Sequence, residues 1–123
     1  MPVNHQHFLE SGRVFLSGLS EMDYRNAASR SYYAAYHLCL NLGRRFPDYL
    51  DVKGGVHERL IVKLEKASDR RIKTIGYILK QCRVYRNKAD YLLEDKFSKQ
   101  DAELVIKQVE KLIQQYSDIE NQL

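Results

Sequence analysis

From Ile72 to Leu93 one face of the chain repeats every three and four residues without a break: Ile72, Ile75, Leu79, Cys82, Arg86, Ala89, Leu93. That rhythm holds its members on one side of an α-helix and would scatter them over both faces of a strand, so it predicts a helix from about Arg70 to Leu92. The same spacing recurs elsewhere. Phe8, Gly12, Phe15 and Leu19 predict a helix from about His5 to Leu19. Ala28, Ser31 or Tyr32, Ala35, Leu38 or Cys39, and Leu42 predict another from about Tyr24 to Leu42, with Asp23 as its N-cap and Gly43 as its C-cap glycine. Val56, Leu60, Leu64 and Ala67 give a short helix from about Val56 to Ala67. Ser98-Lys-Gln-Asp101 reads as a capping box opening a last helix, with Ala102, Val105, Val109, Leu112, Tyr116, Ile119 and Leu123 inward.

Prolines fall only at Pro2 and Pro47, and Pro47, Gly54 and Gly55 mark residues 44 to 55 as a loop. No run alternates polar and apolar. The expected fold is therefore all-α: an antiparallel up-and-down bundle of four main helices plus one short helix, forming a single domain over residues 1–123. No stretch approaches the roughly 20 apolar residues that span a bilayer. The first residues lack a basic segment followed by an apolar run, so a cytoplasmic protein without membrane attachment is expected. Cys39 and Cys82 both fall on apolar stripes and read as buried, reduced thiols.

Charge is unevenly placed. Thirteen of the 20 lysines and arginines lie between residues 44 and 88, against five acidic residues there. A basic middle points to an anionic partner, nucleic acid foremost, although a solvated lysine-rich surface gives the same pattern.

Arg86 is the anomaly of the stripe. A buried guanidinium without partners is costly, so it must face a cleft or be paired. Asp90 follows one turn later, and Asn87 and Tyr91 flank the two. A surface Arg86–Asp90 pair, worth about 0.3–0.5 kcal/mol, is the plain alternative. Along the preceding long helix Asn26, Arg30, Tyr33, His37 and Asn41 form a polar line, either a solvated face or a set able to touch phosphates and stack on bases. His57 opens the short helix, but no second histidine follows at zinc-motif spacing. No metal-ligand set, cofactor fingerprint or phosphate-cradling glycine loop is present, so neither metal nor cofactor is expected.

Ala27-Ala-Ser-Arg-Ser-Tyr-Tyr-Ala-Ala-Tyr-His37, Tyr85-Arg-Asn-Lys-Ala-Asp-Tyr91 and His57-Glu-Arg-Leu60 together resemble small stand-alone HEPN proteins of the Ala-Asp-Tyr branch. The resemblance implies a homodimer in which the ends of the Arg86-bearing helices meet over a shared polar cleft. It implies RNA or a nucleotide as ligand, a toxin–antitoxin or defence setting, and a nucleotidyltransferase as possible partner protein. Many such domains are metal-independent endoribonucleases built on an arginine, a polar follower and a histidine shortly after. Arg86 and Asn87 match the first two, with Arg86 holding phosphate and Asn87 orienting Arg86 or binding the phosphate itself. The histidine is absent: Tyr91, Leu92 and Leu93 occupy the window after Arg86, and Lys88, Ala89 and Asp90 the window after Arg83. That leaves Asp90 and Tyr91 as the remaining catalytic candidates, and Arg30, Tyr33, His37 and Arg83 as candidate RNA or nucleotide contacts. The alternative is a non-catalytic binding or antitoxin-like module working with the nucleotidyltransferase.

Overall fold

A computed structural model describes residues 2–49 and 53–122. It contains five helices: α1 His5–Leu16, α2 Glu21–Gly43, α3 Val56–Glu65, α4 Arg70–Tyr91 and α5 Lys99–Glu120. No strand occurs among the described residues.

The termini are set by polar side chains that satisfy the free N–H groups of each first turn. Ser98 and Asp101 form the expected box: the Ser98 hydroxyl accepts from the Asp101 N–H at 3.1 Å, and the Ser98 N–H donates to the Asp101 carboxylate at 2.9 Å. Ser20 and Asp23 do the same for α2, so Asp23 is the box's third residue rather than the N-cap, and the helix starts three residues early. Asp69 caps α4. At the other end of α2, Gly43 is the last helical residue and Arg44 follows in a right-handed conformation. Gly43 is needed there for a different reason: a Cβ would lie 2.8 Å from Leu60 Cδ1, so the missing side chain lets α3 approach.

Three inward assignments change. α1 stops at Leu16, leaving Leu19 94% exposed, and Leu9 takes the buried place. Val56 and Leu93, at the ends of their helices, face outward, while Ala67 is buried just beyond α3. Tyr116, like Phe8 and Phe15, is half-buried and packs against the core. Leu123 lies outside the described residues.

α2 packs against each of the other four helices. Its alanines 27, 28, 34 and 35 are fully buried, which is what allows neighbours close on both sides. The core draws on all five helices and on Phe97 from the α4–α5 connection. Cys39 and Cys82 are buried free thiols. Burial pushes both thiols up, Cys82 to about 12. Among the described residues no helix is long and apolar enough to cross a membrane.

The core also holds an arginine that hydrophobic periodicity did not single out. Arg25 of α2 is 3% exposed. Its Nη1 donates to the carbonyls of Ala89 at 2.9 Å, Lys88 at 3.1 Å and Leu92 at 3.3 Å, and its Nη2 donates to the carbonyl of Asp95. Glu21 stands 3.5 Å from its Nε and accepts the Phe97 N–H at 3.0 Å. A cation at the carbonyl end of a helix is favoured by charge as well as by hydrogen bonding. Arg25 thus ties the last turn of α4 to the start of α2, and that last turn carries the residues described next.

Candidate functional site

Arg86 points inward from α4 and is 4% exposed. Its surroundings differ sharply from those of Arg25. The guanidinium lies over three tyrosine rings, with centroids at 5.1 Å for Tyr32, 5.4 Å for Tyr33 and 5.7 Å for Tyr91. Such contacts attract a cation to the ring face but use none of its N–H donors. Nη2 has one hydrogen-bond partner, His57 Nε2 at 3.4 Å. Nε is buried with no partner among the described residues. Asp90 stands 4.0 Å from that Nε, beyond hydrogen-bond range, and its Oδ2 instead accepts from the Ser29 hydroxyl at 3.0 Å. The Arg86–Asp90 pair that spacing allowed is present as a long ion pair, but its cation is buried and its Nε makes no hydrogen bond among the described residues.

His57, the second residue of α3, is the group that sequence spacing did not connect to Arg86. Its Nδ1 lies 2.6 Å from the Tyr32 hydroxyl, and its ring sits 4.3 Å from that of Tyr36. Burial, then the positive charges of Arg86 and Arg83, hold the imidazole below its ordinary value of 6.5. Burial likewise pushes the Tyr32 phenol well above 10.0, so it remains protonated. Arg83, one turn before Arg86, pairs with Glu58 at 2.8 Å, which occupies the carboxylate nearest to His57 in sequence. α3 buries Leu60, Ile61 and Leu64, with Leu60 against Gly43 of α2 and Leu64 against Gly76 of α4, so the imidazole is placed by packing between helices.

Of the residues singled out from sequence, Arg86, Asp90, Tyr91 and Tyr33 come together. Asn87 is half-buried beside them and Arg83 adjoins through His57 and Glu58. Tyr91 is 70% exposed and covers the guanidinium from the solvent side. His37 stands at the edge: it is exposed and packs on Phe8 of α1 at 4.9 Å, reaching the centre through Tyr36 at 5.6 Å and Tyr33 at 6.1 Å. Arg30 is exposed on α2, and none of the hydrogen bonds or ion pairs that build the centre involves it. Tyr32 and His57 join the site only in three dimensions. Tyr32 reads as core in sequence because its ring is core; its hydroxyl reaches His57 Nδ1.

No three His, Cys, Asp or Glu side chains cluster in metal-binding geometry among the described residues. What the centre offers is a guanidinium with free donors beside a neutral imidazole, walled by aromatic rings. That is a setting for an anion whose neighbouring group can lose a proton.

The family model described as HEPN domain matches residues 6–119. No curated protein and no solved structure gives a significant match. The match covers all five helices almost from end to end, and on that basis the chain belongs to the HEPN family.

Proposed function

We propose that this protein binds and cleaves RNA at the Arg86 centre, as a metal-independent endoribonuclease. One observation carries the reading: a buried arginine whose Nε makes no hydrogen bond among the described residues, with Asp90 held off at 4.0 Å, and whose Nη2 makes a 3.4 Å contact to a histidine. Burying a cation with so few hydrogen bonds is costly, and a phosphodiester supplies acceptors for it. Arg86 holds the scissile phosphate and stabilises the charge that develops on it. Asn87 and Asp90 orient the guanidinium, and Tyr33 and Tyr91 offer faces for neighbouring bases. The basic stretch between residues 44 and 88, which includes Arg83, draws the polyanion in, with Arg30 and His37 extending the contact along α2.

The active form in this proposal is a homodimer joined at the carboxyl ends of α4. Val84, Tyr91, Leu92 and Leu93 stand more than half exposed there, an apolar surface that a second copy covers. Each subunit is a single domain whose four long helices run up and down antiparallel, with α3 as the short addition. The setting is a cytoplasmic toxin–antitoxin or defence pair, with a nucleotidyltransferase as partner protein.

The test uses purified wild type and Arg86→Ala with labelled RNA in the presence of a chelator. Wild type should bind and cut, and Arg86→Ala should do neither. Equal cleavage by the two proteins refutes the assignment. Sedimentation at micromolar concentration should give the mass of two chains.

A further inference from the structure

Resting on that reading of Arg86, we propose that His57 is the catalytic base of the site, delivered from α3 in place of a histidine downstream on α4. The residues after Arg86 contain no imidazole, yet one stands 3.4 Å from its guanidinium.

The hydrogen-bond partners select the reactive tautomer. A guanidinium has donors only, so the Nε2 that meets it must present a lone pair. The ring proton then sits on Nδ1 and is donated to the Tyr32 oxygen at 2.6 Å. Tyr32 is a positioning residue: it fixes which nitrogen is basic and where it points. The groups facing the imidazole are Tyr32, Tyr33 and Tyr36 from α2 and Arg83 and Arg86 from α4. The nearest carboxylate on its own helix, Glu58, is taken by Arg83. Among the described residues no carboxylate hydrogen-bonds the imidazole, and His57 stays neutral and able to accept a proton near neutral pH.

The reaction that this pair supports is transfer within the RNA strand. The 2′-oxygen attacks the adjacent phosphorus while its proton passes to His57 Nε2. The bond from phosphorus to the 5′-oxygen breaks, leaving a 2′,3′-cyclic phosphate. The departing 5′-oxygen takes a proton from water and becomes a hydroxyl, and His57 returns its proton to solvent. Arg86 shifts its Nη2 from the long contact with His57 to a phosphate oxygen, which frees Nε2 for the 2′-hydroxyl.

The experiment compares wild type, Arg86→Ala, His57→Gln and Tyr32→Phe by RNA affinity, single-turnover cleavage rate and the chemistry of the product ends, with circular dichroism to check folding. His57→Gln should keep its RNA affinity and lose about 100-fold or more in rate. Tyr32→Phe should cut more slowly and move the acidic limb of the pH–rate profile. In wild type that limb should lie below the ordinary imidazole value of 6.5, and products should carry 2′,3′-cyclic phosphate. Cleavage by His57→Gln at the wild-type rate, with Arg86→Ala inactive, overturns the role of His57 and leaves that of Arg86 standing. Should His57→Gln not fold, a wild-type rate without an acidic limb below 6.5 overturns it equally. A wild type that binds RNA without cutting it overturns both assignments.

Discussion

The two buried arginines give opposite predictions for stability, and comparing them tests the reasoning that separates structure from function here. Arg25→Met keeps the stem's packing and removes the guanidinium. Four backbone carbonyls lose their donor, of which that of Ala89 is fully buried while those of Lys88, Leu92 and Asp95 are part-buried and regain water. Hydrogen bonds from a charged donor contribute about 1.5–3 kcal/mol each. Counting the buried bond in full and the others in part gives a loss of about 3–5 kcal/mol. For a chain of this size that lowers Tm by roughly 10–20 °C. Arg86→Met removes one long contact to His57, a 4.0 Å ion pair with Asp90 and three ring contacts worth about 0.5–1 kcal/mol each. It also relieves the desolvation of a cation with an unpartnered Nε, a penalty of several kcal/mol. These terms nearly cancel, so Arg86→Met should lie within about 1 kcal/mol of wild type or above it. Urea denaturation followed by far-UV circular dichroism, at one fixed protein concentration, measures both. Destabilisation of Arg86→Met as large as that of Arg25→Met would refute the argument that Arg86 is kept for something other than folding.

Gly12→Ala places a Cβ 2.1 Å from the Ser31 hydroxyl oxygen and 3.0 Å from the Ala27 carbonyl oxygen. α1 must then move off α2, and chemical denaturation should show a loss of about 1–3 kcal/mol. Cys39 and Cys82 should resist a thiol reagent in the native state and react together only on unfolding. Because burial raises both thiols in the folded state, their contribution to stability is complete below the ordinary value of 9.0 and is lost as pH climbs past it. Tm should therefore fall on the alkaline side of 9.0, and a cysteine-free variant should lose that extra fall.

Most of the architecture is readable from spacing because helix formation is local. The stripe from Ile72 to Ala89 and the box at Ser98 predict both ends of α4 and the start of α5 to within a residue, while α5 stops at Glu120 although its stripe reads on to Leu123. Errors fall where two local signals compete. Ser20 and Asp23 are both good N-caps, and only the reciprocal hydrogen bonds decide between them. Leu19 continues the α1 rhythm on paper, but the chain has already turned at Ser17 and leaves it in solvent.

The site divides along the same line. Arg86, Asp90 and Tyr91 share one helical turn, and an arginine in an apolar stripe is visible to anyone counting in threes and fours. His57 and Tyr32 are 29 and 54 residues upstream of Arg86 in the chain, on separate helices, and each has a bland local explanation as a helix-opening polar residue or a core aromatic. The local sequence determined the helices, their faces and the misplaced arginine, because each depends on neighbours a few residues away. Only the packing of α3 and α2 against α4 decided that an imidazole would meet that arginine, because contacts between helices depend on how whole faces fit, and no short-range spacing encodes them.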